Sequence, residues 1–344
     1  MVLKNCRATL LLAIAMVAAV AAAMLHAEEP KGVLRAGIIG LDTSHVIAFT
    51  QALNDPAAPP EFAGVKVVAA FPGGSPDNPL SADRIAQFSD GVRKMHVELV
   101  DNIDELLKKV DVVLLESVDG RPHLQQARPV LVAGKRLFID KPMAASLADA
   151  MRIFALAEKY HTPVFSASGA RFDRDLQSIR NGRSPTGQAK DYFGDVTRCV
   201  TWSPMVIMAH HPDMFFYGIH GVEVMFTLMG PGCKTVVRAG PQTVVGFWAD
   251  GRDATYVARS EIGAEVFGAK RSGPAGRKEG YAPEIAAICA FFKTGKPPVE
   301  AKETLEILAF MEAADESKRQ GGAPVSIESI MAKARKQVQA TEGR

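Results

Sequence analysis

Three short stretches hold residues whose types and spacing fit chemistry. In "RLFIDKP", an apolar run ends in Asp140-Lys141-Pro142. A proline after lysine stops a strand, so Lys141 is expected at its carboxyl end, where ligands sit in open α/β folds. A lysine there can give a proton or hydrogen bond to a substrate hydroxyl. The alternative is a turn lysine paired with Asp140. In "AHHPDMFFYGIHGVEVMFTLMG", His220 and Glu223 are three apart on one helix face. A histidine there suits general acid–base work, because its ordinary pKa is near 6.5. The alternative is a hydrogen-bonded residue at a helix start. His210, His211 and Asp213 lie just upstream. With His220 and Glu223 they have metal-ligand chemistry, but no H-x-x-x-H or H-E-x-x-H spacing, so no metal is assigned. "HHPD" is read instead as a polar loop facing substrate, with Tyr217 and Trp202 as stacking faces or core aromatics.

The third stretch is Gly40-Leu41-Asp42-Thr43-Ser44-His45, after the apolar run "VLRAGII". A dinucleotide turn has the form G-x-G-x-x-G. Here Asp42 stands at the second glycine and His45 at the third. A carboxylate about 4 Å from a phosphate charge costs on the order of 4 kcal/mol at an effective dielectric of 20. Replacing Asp42 with glycine is therefore expected to tighten dinucleotide binding. Asp-Thr-Ser is also good helix-capping chemistry, and the Thr43 and Ser44 hydroxyls suit phosphate. After the next strand, Phe71-Pro72 occupy the place of a ribose-binding acid, and Asp77 is the nearest carboxylate.

These residues need a scaffold, and the pattern supplies one. Strand-like runs "VLRAGIIG", "VKVVAAF", "DVVLLES", "RLFID" and "TPVFSAS" alternate with helical runs "VIAFTQAL", "SADRIAQF" (Ser81 as N-cap), "NIDELLKKV", "HLQQARPVLVAG" (interrupted by Pro129) and "SLADAMRIFALAEKYH". That alternation predicts an α/β fold: a Rossmann-type doubly wound parallel sheet over residues 31–168. Residues 169–330 read as an α+β substrate domain, with a largely antiparallel or mixed sheet. Residues 331–344 read as a charged tail.

The "DKP" segment, its long helix, the next strand and Arg171-Phe172 together resemble the glucose–fructose oxidoreductase/inositol dehydrogenase/MocA (Gfo/Idh/MocA) family. "GDVTRCVTW" and the closing "YAPEIAAICAFFKTG…GGAPVSI" extend the resemblance over nearly all of residues 31–344. The resemblance implies NAD or NADP as cofactor and hydride transfer at a hydroxyl-bearing carbon of a sugar, polyol or related small molecule. It implies Lys141 and His220 as the catalytic pair. Gly40, Leu41, Asp42, Thr43, Ser44, His45, Asp140 and Pro142 would hold the cofactor. Arg171, His211, Tyr217 and Glu223 would face the substrate. A homodimer or homotetramer is expected on the same ground. Family members carry an aspartate four residues before the histidine; here Phe216 stands there.

The chain has 344 residues, 47% hydrophobic and 23% charged, which leaves ample material for two domains. Residues 1–27 read as a secretory signal: Lys4 and Arg7 precede "ATLLLAIAMVAAVAAAML". An uncleaved anchor is the alternative. Export to the periplasm or beyond is expected, with no membrane span after processing. Removing that leader takes the net charge from +2 to zero, so nothing marks the protein for nucleic acid. Cys199, Cys233 and Cys289 are read as core residues, with one disulfide an option after export. The leader has no paired arginines, and with Asp42 this keeps a second reading open: an exported carbohydrate-active or carbohydrate-binding protein on the same scaffold, without redox turnover.

Overall fold

The computed structural model describes residues 32–208, 211–276 and 279–342, so the leader segment and His210 lie outside the described residues. Six parallel strands form the first sheet: β1 Leu34–Ile39, β2 Val65–Phe71, β3 Glu98–Leu99, β4 Val112–Leu115, β5 Arg136–Asp140 and β6 Val164–Ala167. Their order is β3-β2-β1-β4-β5-β6. The order reverses between β1 and β4, and the crevice past their carboxyl ends is the ligand position of such sheets. All four residues of β4 are buried, as a parallel sheet covered on both faces requires.

The helices between these strands are α1 His45–Asn54, α2 Pro79–Ala82, α3 Ile85–Lys94, α4 Ile103–Lys109, α5 His123–Val132 and α6 Leu147–Lys159. In α1 the buried residues are Val46, Phe49, Thr50 and Leu53, one face at helical spacing. Helix α5 runs through Pro129 instead of breaking there. The carbonyl that loses its donor belongs to the exposed Gln125, where water can replace the bond. Ser146 caps α6 by accepting from the Asp149 N–H at 3.1 Å. Ser81 is not an N-cap: Asn78 caps α2, and Ser81 lies inside it.

Past a 3₁₀ turn at Gly169–Phe172 and α7 Arg174–Arg180, a seven-stranded mixed sheet follows. Its strands are β7 Val196–Ser203, β8 Cys233–Gly240, β9 Thr243–Trp248, β10 Asp253–Ala258, β11 Gly263–Gly268, β12 Ser272–Ala275 and β13 Val325–Ser326. β10 and β7 pair in parallel and the other neighbours antiparallel. Helix α8 Gly218–Met229 is buried against this sheet, and α9 Ala282–Thr294, α10 Ala301–Arg319 and α11 Ile327–Glu342 close the chain.

Two of these closing helices return to the first sheet. Ile285, Ile288, Phe291 and Phe292 of α9 share one core with Ala36, Val46, Phe49 and Phe138. Ile330 and Ala334 of α11 are buried in a core that also holds Leu147, Ala150 and Ile153 of α6. The charged tail expected from residue 331 is thus part of an amphipathic helix that packs on this core. Cys199, Cys233 and Cys289 are buried free thiols.

Candidate active site

At the first turn, β1 delivers Gly40 with φ +90°. A Cβ there would lie 2.3–2.6 Å from Ser117 atoms, so only glycine fits. The next residues do not present a carboxylate to the crevice. Asp42 is fully buried and turns into the protein: its Oδ2 accepts from Ser81 Oγ at 2.6 Å and its Oδ1 from the Val118 N–H at 2.9 Å. Burial raises its pKa above the usual value, and those two bonds partly offset the rise. The electrostatic penalty expected from the sequence therefore has no source. Leu41 is core and Pro142 sits against Gly120; neither faces a ligand.

Thr43, Ser44 and His45 do line a cleft of about 390 Å³. Lys141 reaches it from the end of β5, while Tyr217 and His220 reach it from the start of α8. The two proposed proton carriers, contributed by opposite halves of the chain, therefore share one cavity. Lys141 is 9% exposed, so it is not a surface turn lysine. Its Nζ lies 4.0 Å from Asp140 Oδ2 and 5.8 Å from the centre of the Tyr217 ring. The His220 Nδ1 lies 2.6 Å from Ser168 Oγ, which also accepts from the Ala170 N–H at 3.2 Å.

Arg171 and Glu223 are a brace, not substrate ligands. The Glu223 carboxylate accepts from Arg171 Nε at 2.5 Å and from the Ser168 N–H at 3.3 Å. Arg171 also bonds Glu303 of α10 at 2.7 Å, and Arg180 holds the same Glu303. Arg171 is 2% exposed; burial works against its charge, but Glu223 and Glu303 more than compensate and raise its pKa. The chain Glu303–Arg171–Glu223 fixes the Ser168 backbone, and Ser168 in turn orients His220.

His211 also lies outside the cleft. Its Nε2 is 3.0 Å from Asp119 Oδ1, past the end of β4, and Arg121 bonds the same carboxylate. Burial would raise the Asp119 pKa, yet the His211 and Arg121 bonds hold it well below the carboxylate range. Asp213 bonds Lys318 at 2.7 Å and Arg238 at 3.3 Å. Among the described residues, His211, Asp213, His220 and Glu223 thus form no metal-ligand cluster. Trp202 lies under the Arg259 guanidinium at 4.4 Å, away from the cleft. Asp77 is engaged by both terminal nitrogens of Arg121 at 2.8 Å.

Sequence reasoning missed several residues here. Arg84, Asp173, Glu261 and Tyr281 line the cleft. Tyr281 packs edge-on to His45 at 4.7 Å and hydrogen-bonds Ser44. Glu116 and Glu284 lie buried beside Asp140. Glu116 had a legible signal: a carboxylate closing the apolar run "DVVLL" at the sheet's carboxyl edge. Tyr281 and Arg84 had none, since the contacts that matter are with residues far away in sequence.

Residues 75–168 match the family GFO_IDH_MocA, described as an oxidoreductase family with an NAD-binding Rossmann fold. Over that stretch, about a quarter of its length, the chain is similar to the Gfo/Idh/MocA family. A curated relative, the uncharacterized oxidoreductase YhhX of Escherichia coli (strain K12), is 33% identical over 146 residues, 39% of this chain and 40% of YhhX. The matched stretch thus spans well under half of that relative. Solved structures share the architecture across both halves. A probable dehydrogenase from Thermotoga maritima aligns at TM-score 0.68 with 19% identity, over 86% of this chain and all of its own. A scyllo-inositol dehydrogenase from Lactobacillus casei, with bound NAD(H) and scyllo-inositol, aligns at 0.66 with 16% identity, over 86% of this chain and 99% of its own. At these identities the likeness shows the fold alone: a Rossmann sheet followed by a mixed sheet.

Proposed function

We propose that this protein is a nicotinamide-dependent oxidoreductase acting on a polyol or sugar-like hydroxyl. The observation that carries the reading is the shared cleft: Lys141 and His220 line it together, beside the amino end of α1. The residues present fit the cofactor. The start of α1 offers backbone N–H groups and the hydroxyls of Thr43 and Ser44, which suit a diphosphate. The guanidinium of Arg84 lines the same cavity, and Asp42 is turned away from it. The Lactobacillus neighbour's cofactor and cyclitol support the substrate class.

When bound, the nicotinamide takes the hydride from the hydroxyl-bearing carbon or returns it. In the oxidation direction, His220 accepts the hydroxyl proton and Lys141 hydrogen-bonds the same oxygen as it becomes a carbonyl. Reduction runs the roles in reverse, with the proton going back to the oxygen. Ser168 holds the imidazole in place at Nδ1, and Tyr217 packs beside both groups.

Turnover measured by nicotinamide absorbance with a panel of cyclitols and sugars tests this. Lys141→Ala should lower kcat by at least about 100-fold, the size of one acid–base contribution, in protein that circular dichroism shows to be folded. Unaltered activity removes Lys141 from the mechanism. A second reading, a sugar-binding protein without redox turnover, is favoured by one contact: Tyr281 covers His45 and engages Ser44 at the diphosphate seat.

A further inference from the structure

Below the cleft floor, three elements bring together a group that the proton-transfer reading does not use. His45 opens α1, Glu116 follows β4, and Asp140 ends β5. One ligand atom from each lies within 4.8 Å of the others. The His45 Nδ1 is 3.0 Å from Asp140 Oδ2 and 3.9 Å from Glu116 Oε2. On a cation with bonds of about 2.1 Å, neighbouring ligands at right angles stand about 3.0 Å apart and opposite ones about 4.2 Å. The two separations fall within that range.

The burial of these groups calls for a ligand. Glu116 is fully buried, and neither of its carboxylate oxygens accepts a hydrogen bond. A buried, unpaired carboxylate is costly. Glu284, also fully buried with both oxygens unbonded, is close enough to act electrostatically on Glu116 and Asp140. Lys141 is the ammonium beside them. Three buried carboxyl groups thus share the one ammonium of Lys141. The His45 ring is held against Phe49 at 5.4 Å and Tyr281 at 4.7 Å, which fixes its direction.

We propose that His45, Glu116 and Asp140 form a divalent-cation site at the floor of the cleft. One imidazole nitrogen with carboxylate oxygens selects an Mn²⁺, Fe²⁺ or Zn²⁺ class of ion over a thiophilic one. Because His45 and Lys141 also line the cleft, the ion stands next to the substrate space, where an open coordination position can take a substrate hydroxyl or carbonyl oxygen. The site stands independently of the redox reading, since its residues and charge balance are the same without a dinucleotide.

The test uses untagged full-length protein stripped with chelator and titrated calorimetrically with MnCl₂ or ZnCl₂, with no cofactor or substrate present. The expected result is one equivalent bound per chain for at least one of the two ions. Glu116→Gln keeps the shape and removes a ligand charge, and should weaken binding by about 100-fold or more. His45→Gln should do the same, and it decides the matter if the first variant fails to fold by circular dichroism. Absence of stoichiometric uptake by the wild-type chain overturns the site. So does wild-type affinity in a folded Glu116→Gln or His45→Gln variant. Cofactor titration is a separate measurement, so either idea can fail alone.

Discussion

Single residues decide what the opening turn can do, and Asp42 shows how type and direction differ. Its position in the sequence predicts repulsion of a phosphate. Its side chain instead ties the turn to Ser81 and to the Val118 N–H. Asp42→Gly should therefore leave dinucleotide affinity untightened and destabilise the fold by about 2–3 kcal/mol, through two buried donors left without acceptors. Thermal or urea unfolding beside a cofactor titration checks both halves; a tighter complex with unchanged stability would show the carboxylate faces the ligand after all. The places of Lys141 at a strand end and His220 at a helix start were legible in the sequence, whereas their pairing was implied only by the family resemblance. The inward turn of Asp42 was not, because its two partners lie 39 and 76 residues away. The same holds for Arg171 and Glu223: the family resemblance implied substrate contact, and only the position of Glu303 on a distant helix makes them a brace.

At the level of elements, five of the six strands of the parallel sheet are readable from their apolar runs, and so is the long helix α6 from its Ser146 cap; the two-residue edge strand β3, Glu98–Leu99, has no such run. What periodicity leaves out is which helix covers which face. Helix α9 is 114 residues past the expected domain boundary at residue 168, yet its Ile285, Ile288, Phe291 and Phe292 complete the core under β1 and α1. Arg136 of β5 adds a bond to the Phe292 carbonyl at 2.5 Å. A fragment of residues 34–168 would expose this apolar face and also the face of α6 that α11 covers. It should lack a cooperative thermal transition and should aggregate, as each fully exposed large side chain forfeits about 1.5–3 kcal/mol. Circular dichroism melting checks this; a sharp, reversible transition would mean that the first sheet folds without the closing helices.

Across the whole molecule, the cleft exists because residues 34–344 pack as one compact unit, with the Rossmann edge on one side and α8 on the other. Among the described residues, no helix is long and apolar enough to cross a membrane. The returning helices α9 and α11 pack the second half onto the first through shared cores. The central claim is that this cavity seats a nicotinamide dinucleotide between those two side chains. Its most direct test is equilibrium titration of the full-length protein with NAD, NADH, NADP and NADPH, read by calorimetry and by nicotinamide fluorescence. The account predicts saturable binding of at least one of the four, one per chain, with a dissociation constant in the micromolar range, near −8 kcal/mol or roughly so. No saturable binding of any of them at about millimolar concentration, −4 kcal/mol on the same scale, would contradict it.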